Sequence, residues 1–191
     1  MTERAKASKS SATANRYVAF LRGINVGGKV IIKMDALRAV LAANGFANVK
    51  TVLASGNVLF DAKPAAPTKI AAHVASILAE KFGRKIGVVV RPLAEIQKLA
   101  AENPFAGIEP TPQTRLYVTF LSEQRPGSLK TPYKSLTGDF VILRATADTV
   151  FSVLTLSERT GTTDALKILE TQFGREITTR NWNTIQKIVS A

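Results

Sequence analysis

The sequence predicts an α+β protein, a β-α-β-β-α-β unit followed by a second, smaller α+β unit. Three observations predict it. Short apolar runs end at Gly, Ser and Asn clusters, as strands do. Between them, apolar residues recur at helical spacing. The stretch Glu109-Pro-Thr-Pro-Gln113 then interrupts both patterns as a linker would. The predicted boundaries are a disordered basic tail over residues 1–15, a first subdomain over 16–108 and a second over 109–191.

Tyr17-Val-Ala-Phe-Leu-Arg22 is an apolar run closed by Gly23, Gly27 and Gly28, and reads as a buried strand entering a loop. Met34, Leu37, Val40 and Leu41 then mark a helix, with Asp35 in its first turn and Gly45 as its stop. Val49 to Leu53 and Asn57 to Asp61, joined by Ala54-Ser55-Gly56, read as an antiparallel hairpin. Ile70, Val74, Ile77, Leu78 and Phe82 give a second helix, with Thr68 as its expected N-cap and Gly83 as its stop. Ile86 to Val90 is the fourth strand. That order is the split βαβ arrangement of ferredoxin-like domains. Pro92 opens a third helix carrying Leu93, Ile96 and Leu99, which Asn103-Pro104 ends.

Beyond the linker, Leu116, Val118 and Phe120 alternate with Arg115, Tyr117 and Thr119, the pattern of a half-exposed strand. Phe140 to Leu143 and Thr149 to Leu154 flank a turn at Ala145-Thr-Ala-Asp148. Leu166, Leu169 and Phe173 fit a helix, and Trp182, Ile185, Ile188 and Val189 fit a short last one. A decayed second copy of the first unit would read this way, but the sequence holds no repeat strong enough to assert one.

Composition narrows the chemistry. The 191 residues include 26 Lys+Arg against 14 Asp+Glu, for a net charge of +12, with no Cys, one His and 46% hydrophobic residues. Such a chain is too apolar for disorder throughout and has no run of the roughly 18 apolar residues a membrane span needs. Its N-terminus lacks an apolar secretory core, so the expectation is a cytoplasmic protein without a membrane partner. The absence of Cys removes thiolate metal sites and cysteine nucleophiles, and His73 alone offers little for metal or triad chemistry; no metal and no cofactor is indicated. The charge divides as +3 over residues 1–16, +6 over 17–110 and +3 over 111–191. A positive field of this kind draws phosphate-bearing partners.

Residues Gly23-Ile-Asn25-Val-Gly27-Gly28-Lys29 fit the G-x-x-x-x-G-K half of a phosphate-binding loop after a strand. Glycines let backbone N–H groups converge on an anion and Lys supplies the counter-charge. Val30 stands where Ser or Thr would hold magnesium, and the antiparallel order does not match nucleotide triphosphatases. What survives is an anion site drawing on Arg22, Asn25, Gly27, Gly28 and Lys29. The alternative is a turn that needs glycines for their positive φ.

In the split βαβ order the first and second strands run parallel, so the glycine loop and Ser55-Gly56-Asn57 emerge at one sheet edge. Ser55 and Asn57 would then extend the polar pocket, or simply stabilise their own turn. Thr178-Thr-Arg180-Asn181-Trp182-Asn-Thr184 combines the only Trp with Arg and two Asn. Asn181 suits a helix cap and Trp182 a core anchor; as ligand groups, Arg180 suits an anion and Trp182 a planar ring.

Arg16-Tyr-Val-Ala-Phe-Leu-Arg-Gly-Ile-Asn-Val-Gly-Gly-Lys29, Ala54-Ser-Gly-Asn-Val-Leu-Phe60, Asn103-Pro-Phe105 and Thr179-Arg-Asn-Trp-Asn-Thr184 together resemble the bacterial domain of unknown function family numbered 1697. The resemblance runs in order over roughly residues 16–190 and implies a compact α+β protein with a ferredoxin-like part; it implies no reaction. The family often carries Gln before Ser-Gly-Asn, where this chain has Ala54.

Three functions follow as expectations. The first is binding of a phosphate-containing or other anionic small molecule at the glycine loop. The second is RNA binding on the sheet, for which Tyr17, Phe20 and Phe60 are the available aromatics, although Phe20 and Phe60 sit in apolar runs that read as buried. The third is a metal-independent enzyme acting on a small metabolite, for which the sequence shows no convincing acid/base pair.

Overall fold

A computed structural model describes residues 14–25, 31–123 and 129–191. Residues 1–13 of the tail expected over 1–15, and Gly27, Gly28 and Lys29 of the glycine loop, lie outside the described residues; Asn15 already belongs to the first strand.

The first half runs β1 (Asn15–Leu21), α1 (Met34–Ala43), β2 (Ala47–Val52), β3 (Asn57–Ala62), α2 (Pro67–Phe82), β4 (Val88–Pro92) and α3 (Leu93–Glu102). Its four strands form one antiparallel sheet in the order β2-β3-β1-β4. The second half runs β5 (Thr114–Leu121), β6 (Tyr133–Lys134), β7 (Phe140–Ala145), β8 (Thr149–Thr155), α4 (Thr162–Phe173), β9 (Ile177–Asn181) and α5 (Trp182–Val189). Its sheet is also antiparallel, in the order β6-β7-β8-β5-β9. The molecule is therefore a mixed α+β protein, with two sheets and five helices among the described residues.

Side-chain alternation assembles the layers. Along β1, Tyr17, Ala19 and Leu21 pack under α1 and α2, while Val18 and Phe20 face the second sheet. Along β5, Val118 and Phe120 meet them, while Tyr117 and Leu121 pack against α4 through Ala165, Leu169 and Phe173. The two sheets thus share a middle core closed by Ile96 of α3, Phe105, and Trp182, Ile185 and Ile188 of α5. The half-exposed β5 expected from its alternation is corrected here. Tyr117 and Thr119 are buried because α4 covers the face the polar alternation assigned to solvent.

Other local expectations shift for identifiable reasons. α2 begins at Pro67, with Ala66 as N-cap, so Thr68 lies inside the first turn: proline's fixed φ starts the helix ahead of the hydroxyl. Gly83 ends α2 with φ 67°, and Asn103 ends α3 with φ 40°. The strand β9 is absent from the sequence reading because Ile-Thr-Thr-Arg-Asn carries little apolar signal; it exists because it pairs with β5 from Tyr117 to Leu121.

The two halves also repeat one another in strand order, the arrangement of a decayed second copy that the sequence alone is too weak to assert. Without the short β6, the second sheet reads β7-β8-β5-β9, the same path as β2-β3-β1-β4. The central strands carry Tyr17-Val-Ala-Phe-Leu21 and Tyr117-Val-Thr-Phe-Leu121. The last strands pair Arg91 with Val18 and Arg180 with Val118, and each arginine is followed five residues later by Ile-Gln in the next helix. Backbone bonds agree: Leu21 N donates to Gly56 O and Leu121 N to Asp148 O, while Arg22 N donates to Gly87 O and Ser122 N to Glu176 O.

Candidate functional site

The glycine loop and the Ser-Gly-Asn turn are in contact, as the parallel run of β1 and β2 requires. Asn25, at φ 54°, donates from Nδ2 to Ala54 O at 2.7 Å and to Ile32 O at 3.0 Å, and its Oδ1 accepts from Ile32 N at 2.8 Å. Ile24 and Ile32 are both buried under the first sheet, so the loop is pinned at both feet. Gly56, at φ 82°, lies so close that a Cβ there would stand 2.8 Å from the Ile24 side chain. Asn25 is therefore a clasp for the loop.

Asn57 is fully buried. Its Nδ2 donates to Val52 O at 2.8 Å and to Ser55 Oγ at 3.2 Å, and its Oδ1 accepts from Arg180 Nε at 2.6 Å. Arg180 also donates from Nη2 to Leu21 O at 2.6 Å and from Nη1 to Thr179 O at 3.0 Å. All three acceptors are neutral, and among the described residues Arg180 makes no ion pair. Its guanidinium carbon lies 5.7 Å from the centre of the Phe20 ring. Burial pulls its pKa down to about 10, which leaves it charged at neutral pH.

The other two members of the Arg-Asn-Trp motif do structural work. Asn181 caps α5 by accepting from Asn183 N at 3.0 Å. Trp182 is buried edge-on to Phe105, with ring centres 5.3 Å apart. Its ring is enclosed in the core between the sheets and presents no face to a ligand.

Arg22 and Arg180 meet along one cleft of about 230 Å³, which Gly23, Leu166, Glu170 and Thr178 also line. Arg22 Nη2 pairs with Glu170 Oε1 at 2.8 Å, both side chains being about one-third exposed. The Thr178 hydroxyl is buried with no hydrogen-bond partner. Of the ten residues singled out in the sequence, Arg22 and Arg180 line this cleft; Ser55 and Asn57 stand behind Arg180, and Asn25, Asn181 and Trp182 serve the frame. Glu170 and Thr178 were not foreseen. Glu170 lies one turn after Leu166 on α4, a spacing that puts both on one face.

A second arginine occupies the equivalent place in the other half. Arg91 Nη2 donates to Leu121 O at 2.7 Å and Nη1 to Val90 O at 3.0 Å, and its guanidinium carbon is 5.8 Å from the Phe120 ring centre. Here the partner position of Asn57 is Thr149, and Nε makes no hydrogen bond; Asp148 Oδ2 stands 4.0 Å away instead. Burial lowers the Arg91 pKa, while Asp148 and then Glu95 pull it back up. Among the described residues, Arg91 has a carboxylate beside it and Arg180 has none.

Among the described residues no helix is long and apolar enough to cross a membrane, and no three His, Asp or Glu side chains converge as a metal site would require. His73 is exposed on α2, its ring 5.7 Å from that of Phe46.

Comparison with solved structures finds the conserved bacterial protein SP0830 from Streptococcus pneumoniae, 22% identical, with a TM-score of 0.67 over 93% of this chain and 98% of that one; it shares the fold. No curated protein matches the chain. A family model described as "Protein of unknown function (DUF1697)" matches residues 14–139, about two-thirds of the sequence, and the chain belongs to that family.

Proposed function

We propose that this protein binds a small phosphate-bearing or other anionic molecule in the cleft where Arg22 and Arg180 meet. One observation carries the reading: Arg180, which lines the cleft, is a largely desolvated cation whose three acceptors are all neutral, and Thr178 beside it on the lining has a buried hydroxyl without a partner. A buried charge without an opposite charge is costly, and an anion entering the cleft recovers part of that cost through charge-assisted hydrogen bonds. Arg22 supplies a second guanidinium at the mouth, where Glu170 is its resident counter-charge.

The RNA reading has less support, because Tyr17, Phe20 and Phe60 are all at most 2% exposed and bases cannot stack on them. A metal-independent enzyme would need an acid/base pair at the cleft, and among the described residues Glu170 is the only carboxylate lining it.

The test is titration calorimetry with inorganic phosphate and sulfate, on the unaltered protein and on Arg22→Ala. Binding that weakens about tenfold or more in the variant supports the reading, and absence of binding to the unaltered protein ends it. Arg22 is chosen because it is partly exposed and its loss leaves the Arg180 to Asn57 bridge intact.

A further inference from the structure

The anion cleft is too small for most metabolites, since binding sites for small molecules typically span about 300–1,000 Å³. It does not end at Arg22. Arg22 and Gly23 also line a second cavity of about 630 Å³. We propose, resting on the anion reading above, that the bound molecule is a phosphate monoester of a hydroxylated body, a sugar or a nucleoside. Its phosphate lies between Arg22 and Arg180, and its body occupies this second cavity.

The second cavity has a form that suits such a body. One wall is the α2 face bearing Ala71, Ala72 and Ala75, whose methyl groups keep it shallow and apolar, fit for the C–H face of a sugar or a ring. Lys85, Ser122 and Glu176 stand on the remaining sides. Among the described residues neither Lys85 nor Glu176 makes an ion pair, so their ammonium and carboxylate are available to ligand hydroxyls. Arg22 and Gly23 are common to the two spaces, and Gly87 lines the second. Gly87 sits beneath the Arg22 side chain, where a Cβ would stand 3.3 Å from Arg22 Cβ, so the missing side chain lets Arg22 lie low where it lines both cavities. The internal repeat puts Glu176 at the position equivalent to Gly87, so the two copies contribute different groups: one gives the arginine its bed, the other gives the cavity its carboxylate.

The experiment compares inorganic phosphate, a pentose phosphate and a nucleoside monophosphate by calorimetry, on the full chain and on Ala72→Phe, a substitution at an exposed α2 position that fills the second cavity. Either monoester should bind the unaltered protein at least tenfold more tightly than inorganic phosphate, and the tighter of the two identifies the body. Ala72→Phe should erase that preference while leaving phosphate binding unchanged. Glu176→Gln should weaken the monoesters several-fold and spare phosphate. Equal affinity for phosphate and both monoesters, or a preference that survives Ala72→Phe, overturns the second-cavity proposal while the anion reading stands. If neither phosphate nor monoester binds the unaltered protein, the anion reading itself fails.

Discussion

Phe20 and Phe120 stack across the boundary between the two sheets, with ring centres 4.5 Å apart and planes 18° from parallel. Each ring is faced by the guanidinium of an arginine that bonds the other half's central strand: Arg180 reaches Leu21 O, and Arg91 reaches Leu121 O. The order arginine, phenyl, phenyl, arginine joins dispersion, ring stacking and cation–π attraction in one column. Truncating either ring to Ala should cost about 3–5 kcal/mol, and the double variant should cost clearly less than the two single costs added together. Urea unfolding of the four proteins measures this, and additive costs would show that the rings do not act as a pair.

Asn57→Ala removes the acceptor of Arg180 Nε and the donor to Val52 O together. With both groups buried, the expected loss is about 1–3 kcal/mol. In Arg180→Met the same Asn57→Ala change should cost less, because no cation is then left unpartnered. A double-mutant cycle by chemical unfolding reads the difference.

Thr149 stands where the other half has Asn57, and Arg91 Nε goes without a partner. Thr149→Asn should supply that acceptor and raise stability by about 0.5–1.5 kcal/mol. An unchanged or lower melting temperature would mean that the two halves are not equivalent at this position.

Gly56 combines a positive φ with a Cβ position 2.8 Å from Ile24 and 2.9 Å from Leu21 Cβ. Gly56→Ala should destabilise by about 1–3 kcal/mol, since it meets both backbone strain and a clash with the buried foot of the glycine loop. It should also weaken phosphate binding by displacing Arg22, one residue beyond Leu21. Calorimetry on the folded variant separates that effect from stability.

Asp61 is held below its usual pKa by the hydrogen bond from Asn48, which with the Arg16 guanidinium outweighs the opposing effect of burial. A depressed carboxylate stabilises the fold at pH values above its unfolded pKa of about 3.9, and that share is lost as pH falls through the lower folded value. Acid unfolding below about pH 4 should therefore have a shallower dependence in Asp61→Asn than in the unaltered protein. The contribution is modest because the group is partly solvated.

The first sheet was legible because its strands are apolar runs and its helices end at glycines whose φ is positive, such as Gly83 at 67°. β9 was not, because its identity comes from pairing with β5 rather than from its own residues. The repeat stayed hidden for a related reason. Tyr-Val-x-Phe-Leu recurs after 100 residues but Arg followed by Ile-Gln recurs after 89, so no single offset aligns the halves. At the site, the residue types were legible and their roles were not. Arg, Asn and Trp within one heptamer suggested a ligand, yet Trp182 and Asn181 serve the frame while Arg180 reaches 123 residues back to Asn57. A one-dimensional pattern cannot assign partners at that separation.

The reciprocal arginines have a consequence for how such a site can change. In a dimer of identical subunits, every substitution at the contact occurs twice, so an arginine that gains an aspartate on one side gains it on the other. Here the two copies share one chain and have come to differ. Arg91 has Asp148 beside it, and Arg180 has Asn57. One side can keep the halves joined while its twin keeps an uncompensated charge, a division of labour open to a fused pair and closed to a symmetric one.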